Sequence, residues 1–297
     1  MGVISVEQTD RLFWLGRYTE RVYTTISLFS ARVDRMIDGE PGGYVDFCRH
    51  LEIPDIYTSD EDFQEKYAFD TENPDSIISN LNRAYDNAIV LRESIGSEAL
   101  SYIQLCIYAI NRAQKSSAPL LELQKVKDNI LAFWGIADDM IESENIRNII
   151  KVGKRVERID LLGRLRQNKK DMLREIHRLS GRINRCSISY HKEKLDQLKS
   201  LTESQELDYH QIVVTVAREL ISGLCAMISV RNWTVVPVWK SLPVQHPVTI
   251  AGKTASHWMR YRKKWKQESL RRGSFPFRKC SRLIRRSAVI NSVTGFF

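Results

Sequence analysis

LFWLGRYTERVY, residues 12–23, sets a glutamate and an arginine side by side in a strongly apolar stretch. IIKVGKRVERID, residues 149–160, repeats its frame: with Gly16 aligned on Gly153, each glycine is followed by a base after one residue and by Glu-Arg after four, 137 positions apart. On a helical wheel of about 100° per residue, Leu15, Val22 and Phe29 centre the apolar stripe of the first stretch. Glu20 groups with Phe13, Gly16, Tyr23 and Ser27, and Arg21 falls between Trp14 and Leu28. Both flanks therefore carry bulky apolar groups, which is the pattern of a helix covered nearly all round.

Burying either charge alone costs on the order of several kcal/mol. Neighbours on a helix point about 100° apart, so Glu20 and Arg21 cannot satisfy each other. The repeat supplies partners. Packing the two helices about a local pseudo-twofold axis would set Glu20 on Arg158 and Arg21 on Glu157 as reciprocal charge-assisted bonds. Gly16 and Gly153, one turn before each glutamate, would let the backbones approach. In the second copy Glu157, Asp160 and Arg164 share a face at i, i+3 and i+7. Such a set serves as a structural polar network or as a ligand-binding or catalytic patch. No metal is expected, because the Glu-x-x-His spacing of di-metal bundles is absent.

Outward from these stretches the chain reads as helix. Ser5 with Gln8 resembles a capping box opening a helix to about Asp38. Asn73-Pro74 marks a cap and first-turn proline, Gly96-Ser97 a break, Pro119 a helix toward Met140, and Ser143 or Asn145 the start of the second Glu-Arg helix. Further helical stretches cover about 169–183 and 205–230, and nothing before residue 230 alternates like a strand. The expected fold is all-α, a multi-helix bundle with the two Glu-Arg helices at its centre. Only 14 Gly and 8 Pro in 297 residues agree with long helices.

The net charge of +9 is divided unevenly. From Val238 onward 14 Lys and Arg face one acid, whereas residues 1–237 hold 31 bases and 35 acids. The expected organisation is a helical domain over 1–236 and an irregular, basic tail containing Pro and Trp over 237–297. Ile212–Val230 is the longest apolar candidate for a membrane span, but Arg218 and Glu219 lie at its centre, so a buried or amphipathic helix is expected there. Cys48, Cys106, Cys186, Cys225 and Cys280 show no CxxC spacing and suit reduced thiols in a cytoplasmic protein. IAGKT (250–254) fails as a phosphate loop because Pro247 stands at the first glycine position, and no cofactor is expected.

These motifs together resemble the bacterial alpha-E domain, an α-helical domain with a Glu-Arg motif. Trp14, Leu15, Gly16, Arg17, Tyr18, Glu20 and Arg21 match its opening segment. Asn73, Pro74, Ser76 and Ile77 match its Asn-Pro-x-Ser-Ile segment, followed by Arg83, Asn87, Ala88, Arg92, Ile95 and Glu98. Gly153, Glu157, Arg158, Asp160, Arg164 and Leu165 match the second Glu-Arg segment. The agreement spans about 5–166. Members of this family are often encoded beside, or fused to, ATP-grasp and transglutaminase-like proteins, which implies a protein partner in a peptide- or amide-ligation system. The family would continue with further helices where residues 237–297 show prolines and bases without period.

Three functions follow from these readings. The favoured one is a non-catalytic partner of an ATP-grasp-type ligase. A second is an enzyme or small-molecule binder in which Glu157, Asp160, Arg164 and Glu20 supply a base and an anion clamp. The third is nucleic-acid or membrane-surface binding through HWMRYRKKWKQ (257–267), where Trp258, Tyr261 and Trp265 recur at i, i+3 and i+7 among bases. No specific nucleic-acid site and no transmembrane segment are expected.

Overall fold

The computed structural model describes residues 4–40, 42–204 and 206–221. These form ten α-helices: α1 (Val6–Ile37), α2 (Gly43–Leu51), α3 (Asp60–Lys66), α4 (Ile77–Val90), α5 (Arg92–Ala113), α6 (Pro119–Met140), α7 (Glu144–Arg164), α8 (Lys169–Ile183), α9 (Lys192–Glu203) and α10 (Tyr209–Val214). A π-helical turn, Thr215–Glu219, follows α10. Among the described residues there is no strand, only an isolated antiparallel bridge between Tyr190 and Ile221. No helix among them is long and apolar enough to cross a membrane. The proposed boundary near 236, the tail and its aromatic-basic segment, Cys225 and Cys280 all lie outside the described residues.

α1 is the axis of the bundle. It packs on α4, α6 and α7, and all but one of the residues from Leu12 to Val22 are buried, on every side of the helix. Its last turns cover an aromatic cluster in which Phe29, Phe47, Tyr57, Phe63 and Tyr67 meet edge-on or tilted, with Phe63 stacked on Tyr67. Residues 53–63 contribute Tyr57 and Phe63 to that cluster, and Ser59 caps α3 there.

Local signals place most helix ends. Ser143 caps α7 through Ile146 N–H, and Pro119 begins α6. Three expectations need correction. The Gln8 amide does not close a capping box on Ser5; it donates to Ser94 on α5 at 2.6 Å, so the box is half-made and α1 is tied to α5 instead. α4 starts at Ile77 with Ser76 as its cap, because the Asn73 side-chain Oδ1 accepts from the Asp75 N–H in a turn before the helix. α9 was not anticipated, and of the helix expected over about 205–230 the described residues show a short α-helix, Tyr209–Val214, running into a π-helical turn, Thr215–Glu219; residues 222–230 lie outside the described residues. The break at Gly96 is real: its φ of 83° interrupts α5.

Candidate functional site

α1 and α7 cross at Gly16 and Gly153. A Cβ on Gly16 would collide with the carbonyl oxygen of Ile150, and one on Gly153 with that of Phe13. Phe13 and Ile150 are equivalent in the repeat, so the contact itself has the pseudo-twofold symmetry. Only glycine permits backbones this close.

Around this crossing each glutamate meets cations from the other helix. The Arg158 Nε donates to Glu20 Oε1 at 2.6 Å, and the Arg21 Nε donates to Glu157 Oε1 at 2.5 Å. The equivalent bases one residue after each glycine join them. Arg17 donates through Nε to Glu157 Oε2 at 2.7 Å, and Lys154 Nζ stands 3.9 Å from Glu20 Oε2. The two ends then differ. Arg17 also donates to Asp160 Oδ2 at 3.1 Å, while Arg164 Nε donates to Asp160 Oδ1 at 2.8 Å and its Nη1 pairs with Glu52, the residue that ends α2, at 2.5 Å. Arg21 continues to Asn80 Oδ1 at 3.3 Å, linking the network to α4.

The Glu157 end is sealed. Glu157 is fully buried, and Arg17 and Arg21 are nearly so. Burial raises a carboxylate pKa, yet the charges and hydrogen bonds of Arg21 and Arg17 outweigh it and hold Glu157 below the ordinary range. Asp160 is pushed upward by burial, against the pull of Arg164 and Arg17. At the other end burial dominates: Glu20 is raised despite Arg158 and Lys154, and among the described residues its Oε2 accepts no hydrogen bond.

The middle-motif residues occupy a second layer. Ser76 caps α4 and its carbonyl accepts from Asn80 Nδ2. Asn73 donates to the Tyr57 hydroxyl at 3.0 Å. Arg83 donates to the Pro74 carbonyl at 2.8 Å and lies, like Arg21, against the Tyr18 ring. Arg92 stays apart, exposed and bonded to Ser97. Asn80, Arg17, Lys154 and Glu175 are members that the candidate set omitted. The bases after Gly16 and Gly153 were visible in the repeat. Glu175 on α8 had no signal in sequence, since it meets Arg155 of α7 only through tertiary packing, at 2.7 Å.

An all-α bundle whose centre is a reciprocal Glu-Arg crossing defines the class of this protein. The chain belongs to the Alpha-E family: the family model, described as a predicted alpha-helical domain with a conserved ER motif, matches residues 8–206. No curated protein and no solved structure matches the chain.

Proposed function

We propose that the chain is a non-catalytic, cytoplasmic partner of an ATP-grasp-type or transglutaminase-like protein in peptide or amide ligation. In this reading residues 1–236 form the Alpha-E domain and 237–297 a basic appendage. Glu20, Arg21, Glu157, Arg158, Asp160 and Arg164 organise the core, and Asn73, Ser76 and Arg83 brace it from α4 and the turn that leads into it. The observation that carries the non-catalytic part is the sealing of Glu157. Its Oε1 and Oε2 take three hydrogen bonds from buried guanidinium groups, leaving no approach for a substrate proton. The partner class comes from the family resemblance.

The test compares Glu157→Gln and Asp160→Asn by thermal unfolding and by capture of a co-expressed ATP-grasp protein encoded beside this chain. Capture that fails only in step with unfolding supports the proposal. Intact folding with loss of ligation activity would place the carboxylates in a working site and favour the enzyme reading.

A further inference from the structure

On the side of α7 facing α6 and α8, positive charge is concentrated beyond what the neighbouring acids balance. Lys151, Lys154, Arg155 and Arg158 of α7 meet Arg178 and Arg182 of α8, and the acids among them are Glu20, Asp138 and Glu175. Arg174 is matched separately by Asp171 at 2.7 Å. Glu175, fully buried, is shared by four guanidinium groups: Arg155 at 2.7 Å, Arg178 at 2.8 Å, Arg174 at 3.6 Å and Arg158 at 4.0 Å. Six bases against three acids leave a surplus of three charges.

Solvent does little to dissipate it. The side chains of Lys151, Lys154, Arg155 and Arg158 are only 11, 14, 17 and 30% exposed. Burial first, and then the neighbouring cations, press the amines of Lys151 and Lys154 down to about 8. Among the described residues the buried Arg155 Nε has no acceptor. Lys154 rests 3.9 Å above the Trp134 ring, which holds its ammonium at the edge of the Glu20 pair. A face with surplus positive charge, little exposure of its inner bases and a buried donor lacking an acceptor suits an anion.

We propose that this α7–α8 face is a binding site for a phosphoryl group, with Lys154, Arg155 and Arg158 as its inner donors and Arg178 and Arg182 as its rim. A phosphate dianion removes most of the surplus where a carboxylate would remove a third, and arginine forks match its oxygens. The site is separate from the sealed Glu157 end and does not depend on the partner proposed above.

Isothermal titration of the full chain at fixed ionic strength, with inorganic phosphate, pyrophosphate and ATP as separate arms, tests this. The expected result is one saturable site for at least one of them, weakened at least tenfold in the Arg178→Gln/Arg182→Gln double variant while helicity of the free protein holds; some loss of melting temperature is expected, because Arg178 and Arg182 also donate to the buried Glu175 and Asn148. Tighter binding of ATP than of pyrophosphate would assign the group to a nucleotide, and equal or weaker binding to a free phosphate or diphosphate. Lys154→Met serves as a second variant: it should also weaken binding at least tenfold. Absence of saturable binding in every arm overturns the proposal. So does binding that is unchanged in both variants, which would locate the anion elsewhere on the chain, such as the basic segment after Val238.

Discussion

The two ends of the α1–α7 crossing are related by sequence and differ in electrostatics. At one end Glu157 is gripped by two arginines, neither with a side chain more than 6% exposed. At the other, Glu20 is gripped by one arginine whose side chain is 30% exposed and faced by a lysine that stands off at 3.9 Å. The difference traces to single positions in the repeat: Arg17 corresponds to Lys154, and Asp160 corresponds to Tyr23, which carries no charge to recruit a further arginine. A symmetric backbone contact thus supports one end specialised for rigidity and one end left partly open.

The largest break in that comparison should come from Glu157→Gln. It leaves Arg17 and Arg21 buried beside a neutral amide, a loss of about 3–5 kcal/mol for an uncompensated buried charge. Glu20→Gln should cost clearly less, because Arg158 can turn toward water and Glu175. Urea unfolding of the two variants checks the ranking. Equal losses would mean that the two ends are energetically alike despite their geometry.

Next in size is Gly153→Ala, paired with Gly16→Ala. Each added methyl meets a backbone carbonyl rather than a side chain that could swing away, so the helices must separate. A cost of about 1–3 kcal/mol is expected, as for overpacking elsewhere. The same substitution at Gly135 or Gly181, where a Cβ meets nothing within 4 Å, should be neutral or slightly stabilising through helix propensity.

Much of this crossing was legible from residues 12–23 and 149–160 because it is written twice. Repetition turned two isolated Glu-Arg pairs into mutual partners, and the glycines one turn earlier told where the backbones touch. What was not legible depends on one-time tertiary contacts. Glu175 looks like an ordinary acid beside the arginines of its own helix, Arg174 and Arg178, until α7 brings Arg155 and Arg158 to it. Asn73 and Ser76 are both good caps by composition, and only the Asx turn onto Asp75 decides between them. α9, KEKLDQLKSLTE, has an apolar spacing carried by three leucines, too few to stand out from its charges.

Asp75 offers a smaller effect of opposite sign. It is buried, and among the described residues neither carboxylate oxygen has a hydrogen-bond partner. Burial raises its pKa above the ordinary 3.8, with Arg21 and Arg83 only partly opposing. A carboxyl raised on folding favours the protonated form, so its contribution to stability is fully present below 3.8 and is lost as pH rises through the folded value. Asp75→Asn should therefore stabilise the protein at pH 7, by on the order of 1 kcal/mol, with a gain that shrinks toward pH 4. Melting temperatures across that range check it. A variant less stable at pH 7 would show that the negative charge is held by Arg21 and Arg83 more strongly than burial opposes it.

The smallest effect sharpens the comparison without perturbing the fold. Lys154, the counterpart of Arg17, is pressed down to about 8, mainly by burial. Trace acylation read residue by residue should show the Lys154 amine gaining reactivity through pH 8, alongside Lys151, which is pressed to the same value. Exposed lysines should do so near 10.4. A lysine lowered on folding binds fewer protons in the native state, so the open end should gain stability as pH rises from about 8 toward 10.5. If Lys154 instead titrates with the exposed lysines, its attraction to Glu20 and to the Trp134 face outweighs burial and the adjacent cations, and the two ends of the crossing are equally well neutralised.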